Sequence, residues 1–330
     1  MSFFPCRLLV DLPNWLGDFV HALPSLEILL SANAQGETTL LLPASHVPLT
    51  RNFGAAVLVR PEKADLGFAK TLPAFDLVLS FRHSTRAKLM LWALQAQVKL
   101  ASCGRGAALL GLTTFPVDRT LHQRHDLDRA LRWLGLPPVG CRPPGLLRKS
   151  RTKDHPPRVV LVPGSHRDCS KRYPKEGFAQ IAWALARRGL EVVAVVGPTD
   201  ASLGAWLAKK AGCQLLPPDA DLAEVGEFLA KACLAIGNDT GLTHLAAAVG
   251  CPTVALFGPT SPRRTGPFPG WAVCAPAFGQ RGWDGLYPAA ILAAVSAILA
   301  WDLQMDAEAV SIEFGGGPLA QLAEQGTLNP

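Results

Sequence analysis

The chain is 330 residues long, 49% hydrophobic and 18% charged, with a formal net charge of +6. That length has room for about two domains of roughly 150 residues each. The composition and a positive mean hydropathy exclude a disordered chain and favour a compact α/β protein with substantial cores. The charge is uneven: residues 1–155 hold 19 Lys and Arg against 11 Asp and Glu (+8), and residues 156–330 hold 13 against 15 (−2). A basic half can draw in a phosphorylated or anionic partner, or it can be simply a soluble surface. With two tyrosines and no basic run interleaved with aromatics, nucleic acid is disfavoured. Eight scattered cysteines without a C-x-x-C pair predict neither a zinc cluster nor a disulfide framework, but buried, reduced thiols.

In chain order, RLLVDL (7–12) predicts a buried strand, followed by the loop PNWLGD and the helical run FVHALPSLEILLSA. Pro24 lies within that run, so the helix either starts near it or is kinked there. TTLLLP (38–43), AAVLVR (55–60) and FDLVLSF (75–81) are further short apolar runs. Their alternation with helix-permissive segments predicts a parallel sheet with crossover helices. PPVGCRPPGLLRKSRTKDHPP (137–157), dense in proline and positive charge, predicts a linker. The alternation then restarts with RVVLVP (158–163), the helix FAQIAWALARRG and the strand EVVAVVG (191–197). After these come the helix SLGAWLAKKAG, the run CQLLPP, the helix LAEVGEFLAKA and the strand CLAIG (233–237).

LYPAAILAAVSAILAW (286–301) is strongly apolar but short of the roughly 20 residues a spanning helix needs; it predicts a packed terminal helix. MSFFPCRLLVDLPNW lacks the features of a signal peptide, which predicts a cytoplasmic protein. IEFGGGPLAQLAEQGTLNP, at the end, carries no functional signal.

The densest chemistry lies in IGNDTGLTHLAAAVGCPTVALFGP (236–259). An apolar strand hands over to a helix through Asn238, Asp239, Thr240 and Gly241, at the sheet edge where open α/β proteins bind ligands. Free N–H groups at the helix start suit a phosphate, and Gly241 lets the backbone come close. The plain alternative is an N-cap by Asp239 or Thr240 with nothing bound. His244 falls one turn after Thr240, as a structural histidine or as part of the same site. VPGSHRDCSKRYPKEGF (162–178) puts Ser165 and the adjacent cations Lys171 and Arg172 after the half's first strand, either to neutralise a diphosphate or as a solvated basic loop. GPTSP (258–262) ends the next strand.

In PNWLGDFVH one glycine, Gly17, precedes Asp18, where a dinucleotide fold would carry G-x-G-x-x-G. A carboxylate there repels phosphate, so the first half is not expected to hold the nucleotide. Asp18 is a plain helix cap or a general base facing the second half across a cleft. No Walker loop, nucleophile elbow or metal-ligand spacing is present. GRGAALLG (104–111) begins like a dinucleotide loop but lacks the third glycine and a clear preceding strand.

PNWLGDFVHALPSL, SKRYP and GNDTGLTHLAAAVGCPTVALFGPTSP together resemble the lipopolysaccharide heptosyltransferases, the ADP-heptose-using glycosyltransferase family nine, over roughly residues 7–290. LSFRHSTRAK (79–88) and HQRHDLDRALRWLGL (122–136) are similar to acceptor-half segments. The resemblance implies a GT-B fold, two Rossmann-like parallel-sheet domains facing a central cleft. Residues 1–150 would bind acceptor, 151–290 the donor, and 291–330 would form a helix and tail packing back toward the first domain. It implies inverting transfer of heptose from ADP-heptose to a lipid A–Kdo type acceptor, without a bound metal or other cofactor. Carried over by position, Asp18 is the base and Lys171 the donor-phosphate lysine. Asp239, Thr240, Gly241 and His244 form the sugar and phosphate turn, Asp200 stands for a ribose-binding glutamate, Ser165 for a phosphate-contacting threonine, and Arg82 and Arg86 serve the acceptor. The partners implied are a nucleotide sugar and an anionic glycolipid, with peripheral contact at the inner membrane's cytoplasmic face left open. Two alternatives stay open: a GT-B enzyme acting on another nucleotide sugar, or a non-catalytic nucleotide-sugar or glycolipid binding protein.

Overall fold

The structure is a computed structural model that describes residues 4–64, 66–104, 106–141, 143–147, 157–165, 168–217, 219–276 and 282–305. Residues 142 and 148–156 of the basic linker, and the tail after 305, lie outside the described residues. The chain divides into two compact units, residues 1–148 with 221–223, and residues 149–220 with 224–330.

The first unit runs β1 (Arg7–Asp11), α1 (Leu16–Ala32), β2 (Glu37–Leu42), β3 (Ala56–Val59), α2 (Leu66–Thr71), β4 (Phe75–Ser80), α3 (Thr85–Ala93), β5 (Ala96–Ser102), β6 (Thr113–Phe115) and α4 (Asp128–Trp133). The second runs β7 (Arg158–Val162), α5 (Lys175–Ala186), β8 (Glu191–Ala194), α6 (Ala201–Ala211), β9 (Gln214–Leu215), α7 (Leu222–Lys231), β10 (Leu234–Asn238), α8 (Gly241–Ala248), β11 (Thr253–Phe257), α9 (Pro262–Thr265), β12 (Trp271–Cys274) and α10 (Pro288–Met305).

Each unit contains one six-stranded sheet, ordered β3-β2-β1-β4-β5-β6 in the first and β12-β11-β10-β7-β8-β9 in the second. Counted within its own unit each order is 3-2-1-4-5-6, and the strand pairs are parallel. The order reverses between β1 and β4, and again between β7 and β10. Those are the two switch points at which doubly wound sheets open a crevice beyond their carboxyl ends.

The central strands read as unbroken apolar runs because helices cover both faces of a parallel sheet. On one face of the second sheet, Val159 and Leu161, Leu234 and Ile236, and Val254 and Leu256 alternate inward with period two. They meet Phe178, Ile181 and Leu185 of α5 and Ile291, Val295 and Ile298 of α10. In the first unit Leu9, Leu41 and Val78 pack with Met90 and Leu91 of α3. Gly212 ends α6 in the left-handed region at φ 68°, where a residue without Cβ is favoured.

Several expectations change. β5, β6 and β12 were not foreseen. GRGAALLG does follow a strand, β5, but leads into turns rather than a helix, so it is no dinucleotide loop. α1 begins at Leu16 and runs through Pro24, which removes a start near the proline. Of the cysteines, all free, only Cys213 and Cys251 are buried, whereas Cys103, Cys141 and Cys169 are exposed. The terminal apolar segment is α10, packed into the second unit's core, and no helix among the described residues is long and apolar enough to cross a membrane.

His46, in a 3-10 turn after β2 (Ala44–Thr50), is buried with its ring 5.1 Å from that of Phe19. Burial first, and the charge of Arg60 second, hold its pKa down to about 4. The folded state therefore binds fewer protons than the unfolded chain between about pH 4 and 6.5. The stability this neutral imidazole contributes is complete above 6.5 and is lost as pH falls toward 4. Comparing urea unfolding of wild type and His46→Gln, the stability difference should move against wild type by about 2–3 kcal/mol between pH 7 and pH 4. A difference that stays constant with pH would show that His46 titrates normally.

Candidate active site

In the first unit, β1 ends in a fully buried carboxylate. Asp11 pairs with Arg60 Nη1 through Oδ1, and Oδ2 accepts from Ser80 Oγ at 2.8 Å. Arg82 Nη1 lies 3.6 Å from Oδ1. Arg60 Nη2 also donates to Leu12 O at 2.9 Å and to Asn14 Oδ1, so the guanidinium pins the chain where it leaves the strand. Burial is the main force lowering the Arg60 pKa, and Asp11 opposes it.

That pinned loop leads into α1, whose N-cap is Trp15 without a side-chain cap bond. Asp18 is thus no N-cap. It sits in the first turn, half-buried, with Oδ1 accepting from Gln123 Nε2 at 2.7 Å. Asp18 lines a cavity of about 280 Å³ with Asn14, His21, Arg82, His83 and Gln123. Arg82 joins Asp18 there. Arg86 does not line this cavity, and its Nε donates to Ala64 O at 3.2 Å.

In the second unit, Asn238 at the end of β10 is fully buried and ties three segments together. Its Oδ1 accepts from Tyr173 N at 3.0 Å, and its Nδ2 donates to Pro163 O at 2.7 Å and Gly164 O at 3.4 Å. Thr243 Oγ1 donates to Asn238 O at 2.7 Å and leaves no room for a Cβ at Gly237, which would lie 2.4 Å from that oxygen.

Asp239, next along, is 4% exposed. Oδ1 is 3.1 Å from His244 Nε2; Oδ2 accepts from Lys171 Nζ at 3.0 Å and from Thr265 Oγ1 at 3.3 Å. Burial alone would raise this carboxyl's pKa. The hydrogen bond and charge of His244, then Lys171, outweigh burial and hold it well below the usual carboxylate range. Thr240 is the N-cap of α8 and makes no side-chain cap bond. The plain capping role foreseen for Asp239 or Thr240 is therefore absent, and the helix start at Gly241 keeps its amides for another partner.

Lys171 and Arg172 separate. Lys171 goes to Asp239, whereas Arg172 Nη2 donates to Asp200 Oδ1 at 2.6 Å and to Ser165 O at 2.9 Å. Asp200 is 4% exposed and underlies the Pro163–Ser165 loop; a Cβ on Gly164 would lie 2.4 Å from its Oδ2. The structure thus brings Lys171, Asp239 and His244 together beside Thr240 and Gly241, and sets Asp200 against Arg172. Trp283 holds the 3-10 turn Cys169–Lys171 by donating from Nε1 to Ser170 O at 2.9 Å, and its ring stands 5.4 Å from that of Tyr173. Asp11, Arg60, Gln123, Thr265 and Trp283 were not singled out from sequence. Among the described residues no group of three or more His, Cys, Asp or Glu is arranged to hold a metal ion.

Residues 72–275, more than half the chain, match Glycosyltransferase family 9 (heptosyltransferase). The chain belongs to glycosyltransferase family 9. The match spans Lys171, Asp239, Thr240, Gly241, His244 and Thr265; Asp18 precedes it. The chain is 32% identical over 117 residues to lipooligosaccharide heptosyltransferase 2 of Haemophilus influenzae, an alignment covering 34% of each chain. It thus spans about a third of the length of the curated relatives it matches.

Among solved structures, the family 9 glycosyl transferase of Veillonella parvula superposes with a TM-score of 0.79 at 18% identity, covering 91% of this chain and 99% of that one. The E. coli heptosyltransferase WaaC with ADP superposes at 0.75 and 21%, covering 88% and 99%. At these identities the likeness is one of fold, and it gives this family 9 chain the GT-B class.

The buried corner makes a stability claim. Asp239→Ala leaves Lys171 and His244 without their shared anion, and should cost about 2–3 kcal/mol in denaturant unfolding. That is less than a fully buried pair would cost, because Lys171 is partly exposed. Asp239→Ala within 0.5 kcal/mol of wild type would show that the corner is not held by this charge.

Proposed function

We propose that this chain transfers a heptose from ADP-heptose to a lipopolysaccharide-core acceptor of the lipid A–Kdo type, by single displacement with inversion. The observation that carries this reading is the buried Asp239, fixed by Lys171 and His244 at the uncapped start of α8, within the segment matched to the family. An ADP complex of the E. coli structural neighbour supports the choice of leaving group.

In this mechanism the acceptor hydroxyl loses its proton to Asp18 as its oxygen attacks the anomeric carbon from the face opposite ADP. The bond from that carbon to the β-phosphate oxygen breaks, and its electron pair leaves with the diphosphate. A positioned base contributes typically 10² to 10⁴ in rate. Lys171 and the first amides of α8 stabilise the charge growing on the leaving group. His244 holds Asp239 in its rotamer, and Asp239 orients the sugar hydroxyls. Asp200 acts beneath the site through Arg172 and the carbonyl of Ser165. Arg82, beside Asp18, meets the acceptor's carboxylates or phosphates. The reading requires the two units to bring Asp18 and the donor's anomeric carbon onto one hydroxyl. The +8 first half suits an anionic glycolipid reached from the cytoplasmic face of a membrane.

Asp18→Asn should lower turnover of ADP-heptose at least about a hundredfold while ADP binding by calorimetry stays at the wild-type level; unchanged turnover removes Asp18 as the base. Lys171→Ala should weaken ADP binding by about 1.5–3 kcal/mol, the worth of a charge-assisted hydrogen bond. ADP affinity equal to wild type in that variant would remove the lysine from the donor site.

A further inference from the structure

We infer that Gln123 is the positioning residue for Asp18, fixing the orientation of that carboxylate; this rests on the reading of Asp18 as the base. The two residues are 105 positions apart in sequence, yet Gln123 Nε2 donates to Asp18 Oδ1 at 2.7 Å, and both line the same cavity. A carboxylate offers only acceptors, so the amide's N–H end faces it. One oxygen of Asp18 is thereby occupied, and Oδ2 has no partner among the described residues.

Gln123 is not needed to hold its own turn. His122 caps that turn (Gln123–His125) through Nδ1, which accepts from Arg124 N at 3.3 Å. Arg124 Nη2 donates to Gly140 O at 2.8 Å, and His125 Nδ1 lies 2.9 Å from Asp128 Oδ2. The turn is anchored by three other side chains, and Gln123 is free of that task to reach Asp18 on α1. A rigid turn presenting an amide to a carboxylate is the arrangement that holds a base in one rotamer. The other titratable groups lining this cavity are His21 from α1, Arg82 and His83 from the loop after β4, and Arg124 and Asp126 from Gln123's own segment. His122 packs edge-on against His21 with ring centroids 5.1 Å apart.

The test is the pH dependence of kcat, with ADP-heptose and a lipid A–Kdo acceptor, for wild type, Gln123→Glu, Gln123→Ala and Asp18→Asn, together with ADP binding and thermal unfolding. Gln123→Glu sets two carboxyls to contend for one proton and should move the acid limb up by about one pH unit or more. Gln123→Ala should lower kcat about tenfold, since the carboxylate loses its fixed rotamer. ADP affinity should be unchanged in both. A residue with only a structural role would change the unfolding temperature and leave the limb in place. If Asp18→Asn is inactive but Gln123→Glu leaves the limb in place and Gln123→Ala keeps the wild-type kcat, the positioning role is overturned and the base survives. If Asp18→Asn retains turnover, the base reading fails and takes the positioning role with it.

Discussion

A carboxylate removed from water must be surrounded by cations and donors, and each sheet of this chain places one at its switch point. Asp11 ends β1 with no exposed surface and gathers Arg60, Ser80 and Arg82. Asp239 follows β10 and gathers Lys171, His244 and Thr265. In each case the partners come from more than one segment: Arg60 and the Ser80–Arg82 strand end for Asp11, and the Lys171 turn, α8 and α9 for Asp239. Satisfying one buried charge therefore fixes the relative positions of segments that the backbone alone would leave free. The loops at the carboxyl ends of these strands are ordered by that demand, with the side chains proposed for chemistry seated on them.

The two corners use the device differently. At Asp11 two guanidiniums face one carboxylate, and Arg60 spends its second nitrogen on Leu12 O and Asn14. The corner is closed, and its product is the path of the loop into α1 and Asp18. At Asp239 a single lysine on a partly exposed turn faces the carboxylate, beside uncapped helical amides. That corner is open on one side. Lys171 can serve an incoming phosphate only by sharing its charge with Asp239 or leaving it, and the His244 and Thr265 contacts are what keep Asp239 in place meanwhile. Trp283, bonded to Ser170 O and set edge-on to Tyr173, limits how far the lysine's turn can move.

What could be read from sequence follows the distance between interacting residues. The β10–α8 corner lies within a single stretch, so its strand, its polar turn and His244 were all legible before any coordinates. Lys171 was legible as a cation near a strand end, but its partner is 68 residues away. Arg172 was read as a twin of Lys171, whereas in the fold it is a clamp on Asp200 and Ser165 O. Asp11 was hidden inside what reads as an apolar strand, because Arg60 is 49 residues on and nothing local announces the pair. Gln123 was equally silent. Among the strands, β5 has only its last three residues buried, β6 is three residues long, and β12 is a four-residue edge strand of middling burial. None offers the continuous apolar run by which the central strands announce themselves.

Two sheets with one strand order do not by themselves assign two roles, since a shared topology provides two equivalent crevices. The groups that each first strand-to-helix turn offers break the equivalence. After β1 the turn carries Asp18, an acid held by a neutral amide, and a phosphate placed there would meet like charge. After β7 the loop carries one exposed acid, Asp168, whose Oδ1 is turned onto its own segment, accepting from Ser170 N at 2.9 Å and Ser170 Oγ at 2.5 Å; Asp200, from the turn after β8, is buried beneath the loop and paired with Arg172. The carbonyls of Pro163, Gly164 and Ser165 are all taken by Asn238 and Arg172. With those carbonyls turned inward, the cations Lys171 and Arg172 stand at the end of that loop. The proposed placing of the leaving group on the second unit and of proton acceptance on the first accords with this difference between the two turns.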